Sequence, residues 1–333
     1  MDLVSTRSIR FDPPPEGLGR PREITYLRVS VTDRCNLRCR YCMPEDQVFL
    51  ERDDLLTFEE IVAVAEVLVE RGVNKIRLTG GEPLLRRDVP RLVAMLKAIP
   101  GAPKVVMTTN GMLLSRHAGA LRAAGLDRLN ISLDTLRAER FEQLSRRPGL
   151  DKVLAGIEAA REAGFTGTKL NTVVMGGVND DELPDLLDFA AEHDLEQRFI
   201  EFMPMASNQY GLQAERVTLG EIRRRIEAHT PLLPRPRGSG PADTFTRADN
   251  GAKVGIIAAI SLPFCETCNR VRLTATGVLR SCLFEGGETA IRELVRSGVG
   301  IRAGLVEALD FLRRVKPPVH DGLGHVQMNQ VGG

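Results

Sequence analysis

Six cysteines fall into two sets of three. Cys35, Cys39 and Cys42 are spaced C-x3-C-x2-C. Cys265, Cys268 and Cys282 form C-x2-C-x13-C. A thiolate is a soft anionic ligand suited to iron or zinc. The first set lacks a nearby fourth ligand for a tetrahedral zinc ion, although His320 or His325 could complete the second. A surface zinc knuckle and a zinc ribbon are the structural alternatives. A [4Fe–4S] cubane held by three thiolates instead leaves one iron open to a substrate or cofactor. Two incomplete sets in one chain suit two species that must meet between them. Three disulfides are a formal alternative, but the thiols are grouped as ligand sets in a large chain with no export signal.

A second group of residues is cationic. Asn269-Arg270-Val271-Arg272 directly follows Cys268. In an extended strand Arg270 and Arg272 share a face, and guanidinium forks match phosphate oxygens. Arg28 precedes the first cysteine set, Lys75 and Arg77 precede Gly80, and Lys169 and Arg198 lie on later strands. Each is compatible with an ordinary solvated strand face. Together they suggest a positive cavity for a polyphosphate.

These residues sit in a regular alternation. Strands are expected at 24–32, 74–79, 104–109, 128–133, 168–174 and 197–202. Helices are expected from Thr57, near 87–98 and 113–124, over 151–164, and at 181–193. Thr57 and Glu60 have capping-box spacing, with Leu56 and Ile61 at the staple positions. Six strands linked by helices imply parallel neighbours. Either an open doubly wound sheet or a barrel fits, and in both the residues after the strands line one mouth. Here these are the first cysteine loop, Gly80–Glu82, Thr108–Gly111, Ser132–Asp134 and Met203. No G-x-G-x-x-G or G-x-x-x-x-G-K-[ST] supports a Rossmann or P-loop site. Further on, a helix is expected at 218–229, a loop or linker at 231–250 and a strand within 251–261. A hairpin turning at Thr276-Gly277 and helices near 288–296 and 302–313 follow. Residues 1–20 are polar and proline-rich, and the terminal Val331-Gly332-Gly333 reads as short and flexible.

Composition sets outer limits. The 333 residues are 43% hydrophobic and 27% charged, as a folded core requires. A net charge of +1, no Trp and three Tyr give no support for a nucleic-acid surface. No apolar run of about 20 residues and no secretory segment is present, so neither membrane spanning nor export is expected.

The motifs carry a resemblance. Cys35–Cys42, with Tyr41 as its aromatic residue, resembles the cluster motif of the radical S-adenosylmethionine superfamily. Gly80-Gly81-Glu82-Pro83 resembles the turn that holds the methionine amino group there. LTGGEPLLRRD, TTNG, ISLDT, FMP, FCETCNRVRLT and a terminal Gly-Gly are together similar to the GTP 3′,8-cyclase family of molybdenum cofactor biosynthesis. The likeness covers nearly all of residues 23–333. It implies an incomplete (β/α)6 TIM-like barrel closed by a C-terminal α+β element with a second cluster. The implied organisation is an N-terminal extension (1–22), the partial barrel (23–230), a linker or loop (231–250) and the auxiliary-cluster and GTP-binding element (251–333).

The resemblance also implies roles. Cys35, Cys39 and Cys42 would hold a [4Fe–4S] cluster chelated by S-adenosylmethionine, and Cys265, Cys268 and Cys282 a second one facing the guanine. Tyr41, Gly80, Gly81, Glu82, Ser132 and Met203 would contact S-adenosylmethionine. Arg28, Arg77, Thr108, Lys169, Arg198, Asn269, Arg270 and Arg272 would contact or surround GTP. Arg28, Arg77, Lys169 and the tail residues Gly332 and Gly333 would assist catalysis. In the implied reaction a 5′-deoxyadenosyl radical removes the C3′ hydrogen of GTP, and the C3′ radical attacks C8. The implied partners are a reductant such as flavodoxin or ferredoxin, the downstream cyclic pyranopterin monophosphate synthase and a second copy in a homodimer, in the cytoplasm. A peptide-modifying radical enzyme and a non-enzymatic metal-binding protein are the alternative readings.

Overall fold

The computed structural model describes residues 22–203, 205, 214–236, 238, 240–284, 286–320 and 328–331. Its first part alternates strand and helix: β1 (Tyr26–Ser30), α1 (Phe58–Glu70), β2 (Lys75–Thr79), α2 (Val89–Lys97), β3 (Lys104–Thr109), α3 (Leu114–Ala123) and β4 (Arg128–Ser132). Two helices follow, α4 (Ala138–Ser145) and α5 (Leu150–Glu162). Then come β5 (Lys169–Gly176), α6 (Leu183–Glu192) and β6 (Glu196–Glu201). β1 to β6 pair in chain order, all parallel.

Period-two alternation sorts each strand into two faces. Leu27, Val29, Ile76, Leu78, Val105, Met107, Leu129, Ile131 and Leu170 are fully buried in a core shared with the covering helices. Their neighbours along the strands include Arg28, Arg77, Thr108, Asn130, Ser132 and Lys169, and on β6 Arg198 adjoins the buried Phe199. Parallel strands covered on both faces normally read as continuous apolar runs. A polar second face therefore marks a surface kept for a ligand.

The chain continues through β7 (Glu215–Arg216), α7 (Leu219–Glu227), β8 (Leu232–Pro234), β9 (Asp243–Arg247) and β10 (Lys253–Ile257). β11 (Arg270–Leu273), β12 (Val278–Arg280), β13 (Glu288–Ala290), α8 (Arg292–Ser297), α9 (Ile301–Arg314) and α10 (Met328–Val331) complete it. β11 adds in parallel to the outer side of β1, and β10 to the outer side of β6. The sheet runs β13-β12-β11-β1-β2-β3-β4-β5-β6-β10-β9-β8 and, among the described residues, does not close on itself. It is an incomplete barrel whose two free edges both receive strands from the C-terminal part. α9 also packs on α1, with Leu305, Leu309 and Leu312 joining the core of Val64 and Leu68.

Three local expectations need correction. Residues 231–250, expected as loop or linker, contain β8 and β9, which extend the sheet antiparallel from β10. Pro234 is tolerated because β8 is an edge strand, and alternation buries Phe245 and Arg247. The helix expected near 288–296 begins only at Arg292, because Glu288–Ala290 pairs with β12. The helix α4 was not expected. It is eight residues long, with Phe141 and Leu144 as its large buried side chains, so its periodic signal is faint.

Candidate active site

The first cysteine loop leaves β1 and is clamped from two sides. Gly81 N–H donates to Thr32 O (2.8 Å), and Glu82 N–H to Arg34 O (2.8 Å). A Cβ on Gly80 would stand 2.3 Å from Thr32 O. One on Gly81 would stand 2.4 Å from Arg34 O and 2.5 Å from Asp33 O. Only glycines let the turn after β2 lie this close to the approach to Cys35. On the other side, Arg38 N–H and Arg40 N–H donate to Ser145 O and Leu144 O, both at 2.9 Å, at the end of α4.

Glu82 is fully buried. Its carboxylate accepts from Leu84 N–H (3.0 Å), the Thr109 hydroxyl (2.8 Å) and Asn110 N–H (2.7 Å). Burial pushes its pKa up to about 7 despite these donors. The structure thus gives this carboxylate an internal task, joining the turns after β2 and β3. Asn110 carries the link onward, its Nδ2 donating to Asn36 Oδ1 (2.8 Å) and lying 3.7 Å from Cys35 Sγ. Tyr41 donates its hydroxyl to Asp134 Oδ2 (2.6 Å), whose other oxygen accepts from Val173 N–H (2.8 Å).

The three thiols of this loop are free of disulfides. Burial, with help from neighbouring anions, pushes Cys35 up to about 11, Cys42 up to about 12 and Cys39 well above its ordinary value. Unmetallated, all three keep their protons at neutral pH, so metal must displace them. Among the described residues no three His, Cys, Asp or Glu converge on one ion position. A cubane does not ask for that, since each thiolate takes a different iron. The donor chemistry and the glycine-dependent clamp fit a cluster.

The second set flanks β11, the strand that pairs with β1. Cys265 opens a 3-10 turn, and Cys268 leads into β11. Burial alone would raise the Cys268 thiol, but Arg270 and Lys316 outweigh it and bring it down to about 6. Asn269 splices β11 onto β1: its carbonyl accepts from Thr25 and Tyr26 N–H, and its amide donates to Thr25 Oγ1 (2.6 Å). In the resulting ladder Arg28 stands beside Arg272 on one side and Arg77 on the other.

That cationic row continues around the sheet. Arg77 donates to Thr108 Oγ1 (2.7 Å) and to the Tyr26 hydroxyl. Lys169 pairs with Glu196, as does Arg198 (2.7 Å). Burial and Arg198 bring Lys169 down to about 8. Burial would raise Tyr26, yet Arg77, Arg28 and Lys75 outweigh it and hold the phenol near 7. Burial and Arg272 push Arg28 well below its ordinary value. Such mutual repulsion is relieved by a multivalent anion.

The terminal helix α10 lies between the two cysteine loops. Asn329 Nδ2 donates to Asp33 O (3.2 Å), and its backbone N–H is directed at Cys42. Arg272 Nη1 donates to Val331 O (3.2 Å). Met203, just beyond β6, shares a small apolar cluster with Phe264, Cys282 and Met328. Ser132 ends β4 in register with Asn171. The register thus sets Arg28 between Arg272 and Arg77, and α10 touches both the first cysteine loop and the side chains around Cys282. Gly332 and Gly333 lie outside the described residues. Sequence reasoning did not single out Tyr26, Asn110, Glu196, Lys316 or Asn329. Tyr26 and Glu196 could have been found by alternation, as i−2 partners of Arg28 and Arg198.

Comparison with known proteins now gives the class and then the family. The model for the Radical SAM superfamily matches residues 29–190. The model for Molybdenum Cofactor Synthesis C matches residues 195–322. The SuiB protein of Streptococcus suis, solved bound to S-adenosylmethionine, shares the fold at a TM-score of 0.53 and 18% identity. The match covers 62% of this chain and 47% of that one. The fold and first thiol loop are those of a radical SAM protein.

Among full relatives, a GTP 3′,8-cyclase of Rhodopirellula baltica is 50% identical over 82% of this chain and 78% of its own. That of Streptomyces coelicolor is 49% identical over 83% and 82%. GTP 3′,8-cyclase 2 of Pseudomonas aeruginosa is 46% identical over 90% and 91%. The chain belongs to the GTP 3′,8-cyclase family.

Proposed function

We propose that this protein converts GTP to (8S)-3′,8-cyclo-7,8-dihydroguanosine 5′-triphosphate, releasing 5′-deoxyadenosine and methionine, as the first step of molybdopterin biosynthesis. The observation that carries this reading is the β1–β11 ladder. It sets Arg28, on the strand entering the first thiol loop, beside Arg272, on the strand that leaves Cys268 within the second set. One cationic row thus spans two open three-thiol sets.

The cluster on Cys35, Cys39 and Cys42, when bound, supplies the electron that cleaves S-adenosylmethionine and so starts hydrogen removal from the ribose. The chain's own residues do the positioning. Gly80 and Gly81 seat the first loop, while Glu82 and Asn110 brace it. Tyr41, Ser132 and Met203 border the place for S-adenosylmethionine. Arg28, Arg77, Thr108, Lys169 and Arg198 receive the triphosphate end of GTP. Asn269, Arg270 and Arg272 bring the second thiol set, and with it a second cluster, toward the guanine. Asn130 Oδ1 and Asn171 Oδ1 are buried acceptors without a hydrogen-bond partner among the described residues, suited to the hydroxyl or N–H donors of a nucleoside. Gly332 and Gly333, which follow α10 in sequence, assist catalysis. A flavodoxin or ferredoxin as reductant, cyclic pyranopterin monophosphate synthase downstream, a homodimer and a cytoplasmic site complete the reading. Among the described residues no helix is long and apolar enough to cross a membrane.

The test uses anaerobically reconstituted protein, S-adenosylmethionine and GTP deuterated at C3′. Deuterium is expected in 5′-deoxyadenosine. Its absence, with 5′-deoxyadenosine still formed, would overturn abstraction from C3′. Cys265→Ala is expected to keep S-adenosylmethionine cleavage and lose the cyclised product.

A further inference from the structure

Lys316 follows α9 and is only 3% exposed. Its ammonium donates to Arg270 O (2.7 Å) and to Ser281 O. Arg270 stands two residues after Cys268, and Ser281 immediately before Cys282. Its charge acts on both the Cys268 and the Cys282 sulfurs. One side chain therefore ties together the two arms of the second thiol set, which the sequence separates by a hairpin. Next to it, Pro317 O accepts from Arg22 (3.0 Å), which also donates to Cys265 O. No carboxylate forms an ion pair with Lys316 among the described residues. A buried ammonium without a counter-ion is costly, and two backbone carbonyls offset that only in part. The anions within reach are thiolates.

We propose that Lys316 is a positioning residue and the built-in counter-charge of the second cluster. This rests on the reading that Cys265, Cys268 and Cys282 hold such a cluster. Three thiolates outweigh the dipositive [4Fe–4S] core by one negative charge, and reduction adds another. A fixed cation against two of the three sulfurs favours the loaded state over the apo state. It also favours the reduced cluster over the oxidised one, raising the midpoint potential. Through Arg270 O it fixes the start of β11, and with it the aim of Arg270 and Arg272.

The test compares Lys316→Met, Lys316→Arg and Cys268→Ala in a chain whose first set is removed by Cys35→Ala, Cys39→Ala and Cys42→Ala. The readouts are iron and sulfide content and the midpoint potential of the remaining cluster. Lys316→Met is expected to lose second-site iron, or to retain a cluster with a more negative potential. Lys316→Arg should hold both near the parent values. With the first set intact, Lys316→Met should still cleave S-adenosylmethionine. Full iron at unchanged potential in Lys316→Met overturns the proposal, as does loss of S-adenosylmethionine cleavage, which signals general unfolding. Cys268→Ala separates the two levels. If it keeps its iron, the cluster assignment itself is wrong. If it loses iron while Lys316→Met does not, only the role of Lys316 falls.

Discussion

Replacing Glu82 by Gln should change how stability depends on pH more than it changes stability itself. The carboxyl of Glu82 titrates at 4.5 when exposed and at about 7 in the fold, because burial disfavours its charged form. Between those values the folded chain holds a proton that the unfolded chain has released, so stability falls as pH rises. From pH 5 to pH 8 this one group removes roughly 2–3 kcal/mol. Gln cannot ionise, so that loss disappears. Its NH2 group, however, faces a donor where a carboxylate oxygen accepted from Asn110 N–H or from Leu84 N–H and the Thr109 hydroxyl. An unmet buried donor costs about 1–3 kcal/mol. The variant is therefore expected to be less stable than the parent at pH 5 and to approach or exceed it at pH 8. Urea titrations of both apo-proteins at pH 5, 6, 7 and 8 give the comparison. A stability difference that stays constant across that range would refute a buried carboxyl ionising near neutrality.

Two other substitutions address the same mouth. Gly81→Ala puts a Cβ against the backbone oxygens of Asp33 and Arg34, an overlap that costs about 1–3 kcal/mol or more. Iron at the first site should fall while iron at the second remains, and full first-site iron would show that the loop yields without harm. Tyr26 should ionise with a midpoint near 7 in a tyrosinate absorbance titration, and Tyr26→Phe should remove that component. GTP should raise the midpoint by neutralising Arg77, Arg28 and Lys75. A titration showing only ordinary tyrosines near 10 would contradict the cationic cluster.

Much of the first part of the fold was legible because its signals are local. Thr57 and Glu60 form the expected reciprocal cap, with Thr57 N–H on Glu60 Oε2 (2.7 Å) and Glu60 N–H on Thr57 Oγ1 (3.1 Å). The turn at Thr276-Gly277 needs the positive φ of Gly277, 84°, and both cysteine sets were plain from spacing. What escaped depends on distant partners. β8 and β9 look like linker until β10 offers them an edge. The bracing role of Glu82 shows only once its three internal donors, Leu84, Thr109 and Asn110, are in place. Nothing near Lys316 in sequence hints that it meets Cys268 and Cys282.

The pairing of β1 with β11 also bears on how the chain is made. Tyr26 meets Arg270 roughly 240 residues later, and at about 5–20 residues per second that interval lasts on the order of 10–50 s. Throughout synthesis the first strand of the barrel keeps an unpaired edge, the kind of template that recruits other chains. Arg28 also lacks its neighbour Arg272 until β11 emerges, ahead of the last three helices. Nascent and truncated chains should be aggregation-prone and without a completed GTP pocket, which places the burden of protection on chaperones during translation.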